Sequence, residues 1–183
     1  MRRSSAVILT LTLTLASHLV AADPWPTLPI PALNAATLRS APPRPPVGDA
    51  EDRARHLATA LAGGPLSLAD DFFFPREPFL AVKDMSGAMH YFARLLNTYH
   101  ADVERYRAQL PPDAPVTFVR FVPARACRWM EIGREANRLP YWSCYGARLV
   151  VRSNEREVVF RIHVMIHWGT QWFVTHLGPI PAR

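Results

Sequence analysis

The chain predicts an α+β domain, with N-terminal helices packed on a curved antiparallel sheet of about four strands. Three observations carry this. Met85, Met89, Phe92, Leu96, Tyr99, Val103, Tyr106 and Leu110 alternate steps of four and three, one continuous apolar stripe of a long helix. From residue 115 the apolar period changes to two, the spacing of half-buried strands. Turn signals at Ser153-Asn154-Glu155 and Gly169-Thr170 then divide the second half into hairpins.

The first 22 residues have the pattern expected of a leader. Arg2 and Arg3 supply a positive start, Ala6 to Val20 is an apolar run, and Val20-Ala21-Ala22 places small residues before Asp23. Residues 1–22 read as a signal peptide cleaved near Ala22, so the expected location is secreted or periplasmic. Loss of Arg2 and Arg3 would leave 19 basic against 15 acidic residues. Lys83 is the only lysine among 21 cationic side chains. No run of four basic residues and no recognised module accompanies this charge, so a nucleic-acid partner is not expected. Residues 23–48 hold eight prolines and read as an extended linker. Residues 49–183 suffice for one core and not for two.

The first helix begins at Asp49 as N-cap, with Glu51 and Asp52 in its first turn. Ala54, Leu57, Ala58 and Leu61 share a face, and Gly63-Gly64 ends it. A short helical turn from Ser67 runs through Phe72-Phe73-Phe74 to Pro75. Three consecutive phenylalanines cannot face one way, so at least one lines a groove or reaches another element. Asp84 or Ser86 caps the long helix and Pro111-Pro112 ends it, with Arg94, Asn97, Asp102 and Arg105 on its wet side. Phe79 to Val82 is a weak strand candidate.

Strands are expected at 116–122, 126–132, 139–152, 157–167 and 171–177, the second and third as arms of one hairpin. An even cysteine count in an exported chain favours a disulfide between Cys127 and Cys144. That bond sets Glu131 opposite Pro140, with Gly133 and Asn137 in the loop between. In the last hairpin, a two-residue Gly169-Thr170 turn sets Trp168 opposite Gln171. His167 then faces Trp172 and His163 faces His176. Arg161, His163, Met165 and His167 share a sheet face with Trp172, Val174 and His176. The other face, from Val158 to Trp168 with Phe173 and Leu177, is expected to pack on the long helix.

The segment Leu61-Ala-Gly-Gly-Pro-Leu-Ser-Leu-Ala-Asp-Asp-Phe-Phe-Phe and the closing strand Gln171-Trp172-Phe173-Val174-Thr175-His176 resemble the NTF2-like (SnoaL-like) superfamily in topology, over residues 49–178. The resemblance implies a cone-shaped sheet with a cavity at its mouth, often a dimer, and no particular chemistry. Its enzymes use an acid or histidine in that cavity as base, which directs attention to Asp71, Tyr99 and His100. Phe72, Phe73, Tyr99, His163, Met165 and His176 are the binding candidates. Glu131, Arg134, Glu135 and Arg138 join Tyr141, Trp142 and Tyr145 in a charged aromatic neighbourhood suited to carbohydrate or protein.

No metal-ligand spacing, phosphate loop or nucleophile elbow occurs, so no metal and no cofactor is expected. The expected function is a non-catalytic ligand-binding or interaction module, for a small apolar ligand or a protein partner. The alternatives are an isomerase, dehydratase or hydrolase working by general acid–base catalysis in the cavity, and a structural envelope protein forming a homodimer through its histidine-rich face.

Overall fold

The computed structural model describes residues 40–46 and 50–180. The expected leader, most of the linker and the Asp49 cap lie outside them. Four helices precede five antiparallel strands, confirming the α+β class: α1 (Ala50–Leu61), α2 (Ser67–Asp70), α3 (Arg76–Val82), α4 (Ala88–Arg107), β1 (Val116–Val122), β2 (Ala126–Met130), β3 (Tyr141–Ser153), β4 (Arg156–Trp168) and β5 (Gln171–His176). The sheet is open, in the order β1-β3-β4-β5. β1 and β2 pair with successive lengths of the same edge of β3. Pro123 separates them, because proline cannot donate to the ladder.

Turn chemistry sets the long β3–β4 hairpin. Asn154 and Glu155 both take left-handed φ, 46° and 63°, which matches a two-residue turn to the strand twist. Ser153 therefore opposes Arg156. Gly169, at φ 63°, turns β4 into β5 with Trp168 opposite Gln171. Cys127 and Cys144 are disulfide-bonded, directly opposed in the β2–β3 ladder with Cα atoms 4.1 Å apart. The register Met130 to Tyr141 follows, as that pairing requires.

The last hairpin departs from its expected register in one place. Met165 opposes Val174, but Val164 opposes His176, so Thr175 is an extra residue. His163 and His176 are thus not opposed; the His163 N–H bonds the Leu177 carbonyl at 3.1 Å instead. Side chains alternate by residue along a strand, so one inserted residue moves His176 to the opposite sheet face.

Two expectations for the helices also change. Phe79 to Val82 lies in helix α3 and not in a strand. Pro75 starts it with the fixed φ that suits a helix entrance. The long helix begins at Ala88 after Gly87 in the left-handed region, without a side-chain cap from Asp84 or Ser86. Met85 and Met89 accordingly fall outside the core at 39% and 49% exposure. Leu95 is buried, and so is Asp102, which was expected to be wet. Asp102 accepts the Gly178 N–H at 2.7 Å and a bond from Arg105 at 2.6 Å, which ties α4 to the end of β5.

The core lies between α4 and one face of the sheet. Tyr106 stacks on Phe160 with centroids 4.8 Å apart. The three phenylalanines divide as their spacing demands: Phe72 meets Phe121, Phe73 meets Phe92 and Tyr99, and Phe74 meets Trp168 and Phe173. Their backbone also pairs with β5: Val174 N–H donates to Phe72 O at 2.7 Å and Phe74 N–H to Val174 O at 2.9 Å. That contact covers an otherwise open sheet edge. α1 closes the remaining gap, with Arg55 over the Phe118 ring on β1 and Arg53 over the Phe173 ring on β5.

Candidate functional site

A cavity of about 140 Å³ opens between α3, α4 and the inner face of β3, β4 and β5. Its floor is apolar, from Phe74, Phe79, Leu95, Val164 and Ile166. Its rim is polar, from Lys83, Arg128, Glu135, Tyr141, Tyr145 and His176. The size is close to the ~150 Å³ engineered apolar cavity that admits benzene, so this space holds about one ring.

The rim is assembled by the β2–β3 loop, and one asparagine organises that loop. Asn137 is 1% exposed. Its Nδ2 donates to the carbonyls of Glu131 and Leu139 at 3.1 and 2.8 Å, and its Oδ1 accepts the Glu135 N–H at 3.1 Å. The loop is then clamped to the end of α3. Arg138 N–H donates to Val82 O at 2.8 Å, and Asp84 N–H to Ala136 O at 2.7 Å. This clamp brings Glu135 to Lys83, 52 residues away in sequence, where Lys83 Nζ donates to the Glu135 carbonyl at 2.9 Å.

Burial shifts three of these groups. Lys83 is lowered from its ordinary value by desolvation, with the Glu135 charge acting in the opposite direction. Tyr141 donates to Glu135 Oε2 at 2.8 Å. Its phenol is held well above the ordinary value, by burial first and the Glu135 charge second. His176 is lowered by burial and then by the nearby His163, so its imidazole is neutral at pH 7. Tyr145 accepts a bond from Arg128 Nε at 3.0 Å, which leaves its own hydroxyl hydrogen available to a ligand. The lining thus brings an amine, a guanidinium, a carboxyl group, two phenols and a neutral imidazole to an otherwise apolar space.

The sequence-derived catalytic candidates are not gathered at this cavity. Tyr99 is buried in the core and donates to the Ala69 carbonyl at 2.7 Å. His100 Nε2 pairs with Asp70 Oδ1 at 2.5 Å, whereas Asp71 pairs with His56 at 2.8 Å and lies 3.8 Å from Arg53. Asp71, Tyr99 and His100 therefore serve separate contacts between α1, α2 and α4. Among the binding candidates, Phe72 and Phe73 are core residues and only His176 lines the cavity. His163 lies on the outer sheet face. Met165 lies there too, over a small void of about 20 Å³ beneath Arg44 and Pro45. Trp172, also expected on a free dimer face, donates its Nε1–H to the Pro46 carbonyl at 2.9 Å, so the proline-rich segment covers it.

Sequence reasoning missed Lys83 and Arg128 as site residues. It grouped Glu135, Tyr141 and Tyr145 without finding their cavity. The available signal for Lys83 was its solitude among arginines. Among the described residues, no group of three His, Cys, Asp or Glu side chains is placed to hold a metal ion, and no helix is long and apolar enough to cross a membrane. No family model, curated protein or solved structure matches the chain.

Proposed function

We propose that this protein is an exported binding domain for a small molecule with an apolar body and a polar end. The observation that carries the reading is the one-ring cavity, lined both by buried apolar side chains and by hydrogen-bonding groups of Lys83, Arg128, Glu135, Tyr141, Tyr145 and His176. The disulfide supports an oxidising compartment, in agreement with the leader-like first 22 residues. The helix-then-sheet order that resembles the NTF2-like superfamily supports a cavity in this position. The test is saturation-transfer NMR of benzyl alcohol with the wild-type protein and with Val164→Phe, which fills the floor. Saturable binding by the wild type, weakened at least tenfold in the variant, is expected. Equal signals from the two proteins, or none from the wild type, refute the reading.

A second reading has its own observation. The lining is not wholly apolar, and a neutral imidazole, His176, lies in it with the phenols of Tyr141 and Tyr145. That set supports general acid–base catalysis on a bound carbon acid. The test is deuterium exchange into phenylacetone beside its carbonyl, compared between wild type and His176→Gln. Equal rates rule it out.

A further inference from the structure

We infer that Lys83 is an amine that captures the carbonyl group of a small aldehyde or ketone seated in the cavity, forming a reversible imine. This deepens the proposed binding function and rests on it. The first ground is residue choice. Twenty of the 21 cationic side chains in the chain are arginine. Wherever a positive charge or a fork of donors was needed, arginine serves; for a carboxylate ligand it is also the better partner. Lysine differs in having a removable proton and a nucleophilic nitrogen. The one lysine is held half-buried in the lining of the cavity, beside apolar side chains.

The second ground is geometry. Lys83 sits at the C-terminal end of α3, and its Nζ donates to one acceptor among the described residues, the Glu135 carbonyl at 2.9 Å. A neutral amine donates one hydrogen to that oxygen and keeps its lone pair for attack. Its head group is displaced from bulk water, which lowers the cost of the neutral form. The Glu135 carboxylate at the same rim is a poor neighbour for an anionic ligand, and a carbonyl compound carries no charge. Tyr141, Tyr145 and His176 line the same space and supply groups able to exchange protons with the carbonyl oxygen.

The step balances without a further reagent. The amine nitrogen bonds the carbonyl carbon while the carbonyl oxygen takes up a proton, giving a carbinolamine. Loss of that oxygen as water, with both amine hydrogens accounted for, leaves the C=N bond; hydrolysis reverses it. Nothing is oxidised or reduced.

The purely structural alternative, that Lys83 only ties α3 to the β2–β3 loop, makes a different prediction. Lys83→Arg keeps the charge and a donor for the Glu135 carbonyl but cannot form an imine. The full chain is incubated with benzaldehyde and cyanoborohydride at pH 7, and the reduced adduct is located by peptide mass mapping. With one lysine, the amines in competition are Lys83 and the α-amino terminus. From ordinary values, a solvent-exposed lysine is free amine about 300-fold less often than the terminus at that pH. Lys83 is expected to label at least as fast as the terminus, with Lys83→Arg labelling at the terminus alone and keeping its thermal midpoint. Labelling of Lys83 hundreds of times more slowly than the terminus overturns the inference. Benzyl alcohol, with the same ring and no carbonyl, separates the two claims. If it binds while Lys83 stays unlabelled, the amine assignment fails and the cavity reading stands; if neither occurs, both fail.

Discussion

Replacing both cysteines by alanine removes a cross-link that closes a sequence separation of 17 residues. In the chain-entropy description, a loop of that length restricts the unfolded state by about 3 kcal/mol. The folded state has little to relax, because the two strands are already paired on both sides of the bond, from Ala126–Tyr145 to Met130–Tyr141. The loss should therefore fall mainly on the unfolded side. In a domain of this size it corresponds to a drop in thermal midpoint of about 10 °C. Urea unfolding of the double variant and of the oxidised wild type reads the difference directly. The effect extends to the site, since the same hairpin carries Arg128, Glu135, Tyr141 and Tyr145. Benzyl alcohol affinity should fall by less than stability does, because Asn137 and the α3 clamp hold the loop independently. A stability loss below about 1 kcal/mol would refute the entropic account. Complete loss of binding in a folded variant would refute the independence of the clamp.

Other outcomes follow from single contacts. Asp102→Ala leaves the buried Gly178 N–H without its acceptor and should cost about 1–3 kcal/mol by urea unfolding, with Asp102→Asn costing less. Leu95→Ala, on the cavity floor at 8% exposure, should cost about 2–5 kcal/mol and admit larger aromatic alcohols than the wild type. The lowered His176 gives a pH dependence of defined sign. In the unfolded chain the imidazole takes its proton near the ordinary value of 6.5, before the folded protein does. Stability then falls as pH drops from about 7 through the depressed folded value. Thermal midpoints of His176→Gln should decline less than those of the wild type between about pH 7 and 5.5; parallel curves would contradict this.

Much of the frame was legible in the residues because it rests on local rules. The period-two pattern, the Gly169-Thr170 turn and the paired cysteines each act locally; the register the cysteines imply is present, and the one the turn implies holds from Trp168–Gln171 to Met165–Val174 before the extra residue at Thr175 breaks it. The candidate site was legible only in fragments. Glu135, Tyr141 and Tyr145 were grouped because they are close in sequence, whereas Lys83 joins them through a clamp between α3 and a loop about 50 residues later. No periodicity reports such a contact. Asp70, Asp71, Tyr99 and His100 are types that chemistry uses, and the fold places them in contacts between helices, outside the cavity lining.

The sequence by itself determined the α+β class, the hairpin turns and the Cys127–Cys144 pairing, since backbone conformation and side-chain alternation are properties of neighbouring residues. The tertiary structure alone decided which side chains reach the cavity. One extra residue at Thr175 moved His176 from the outer face to the cavity, and with it the neutral imidazole. Phe79 to Val82, apolar enough for either element, became a helix after Pro75 and delivered Lys83 to the rim. In both cases two local conformations are close in energy, and the packing of the sheet against α3 and α4 selects between them.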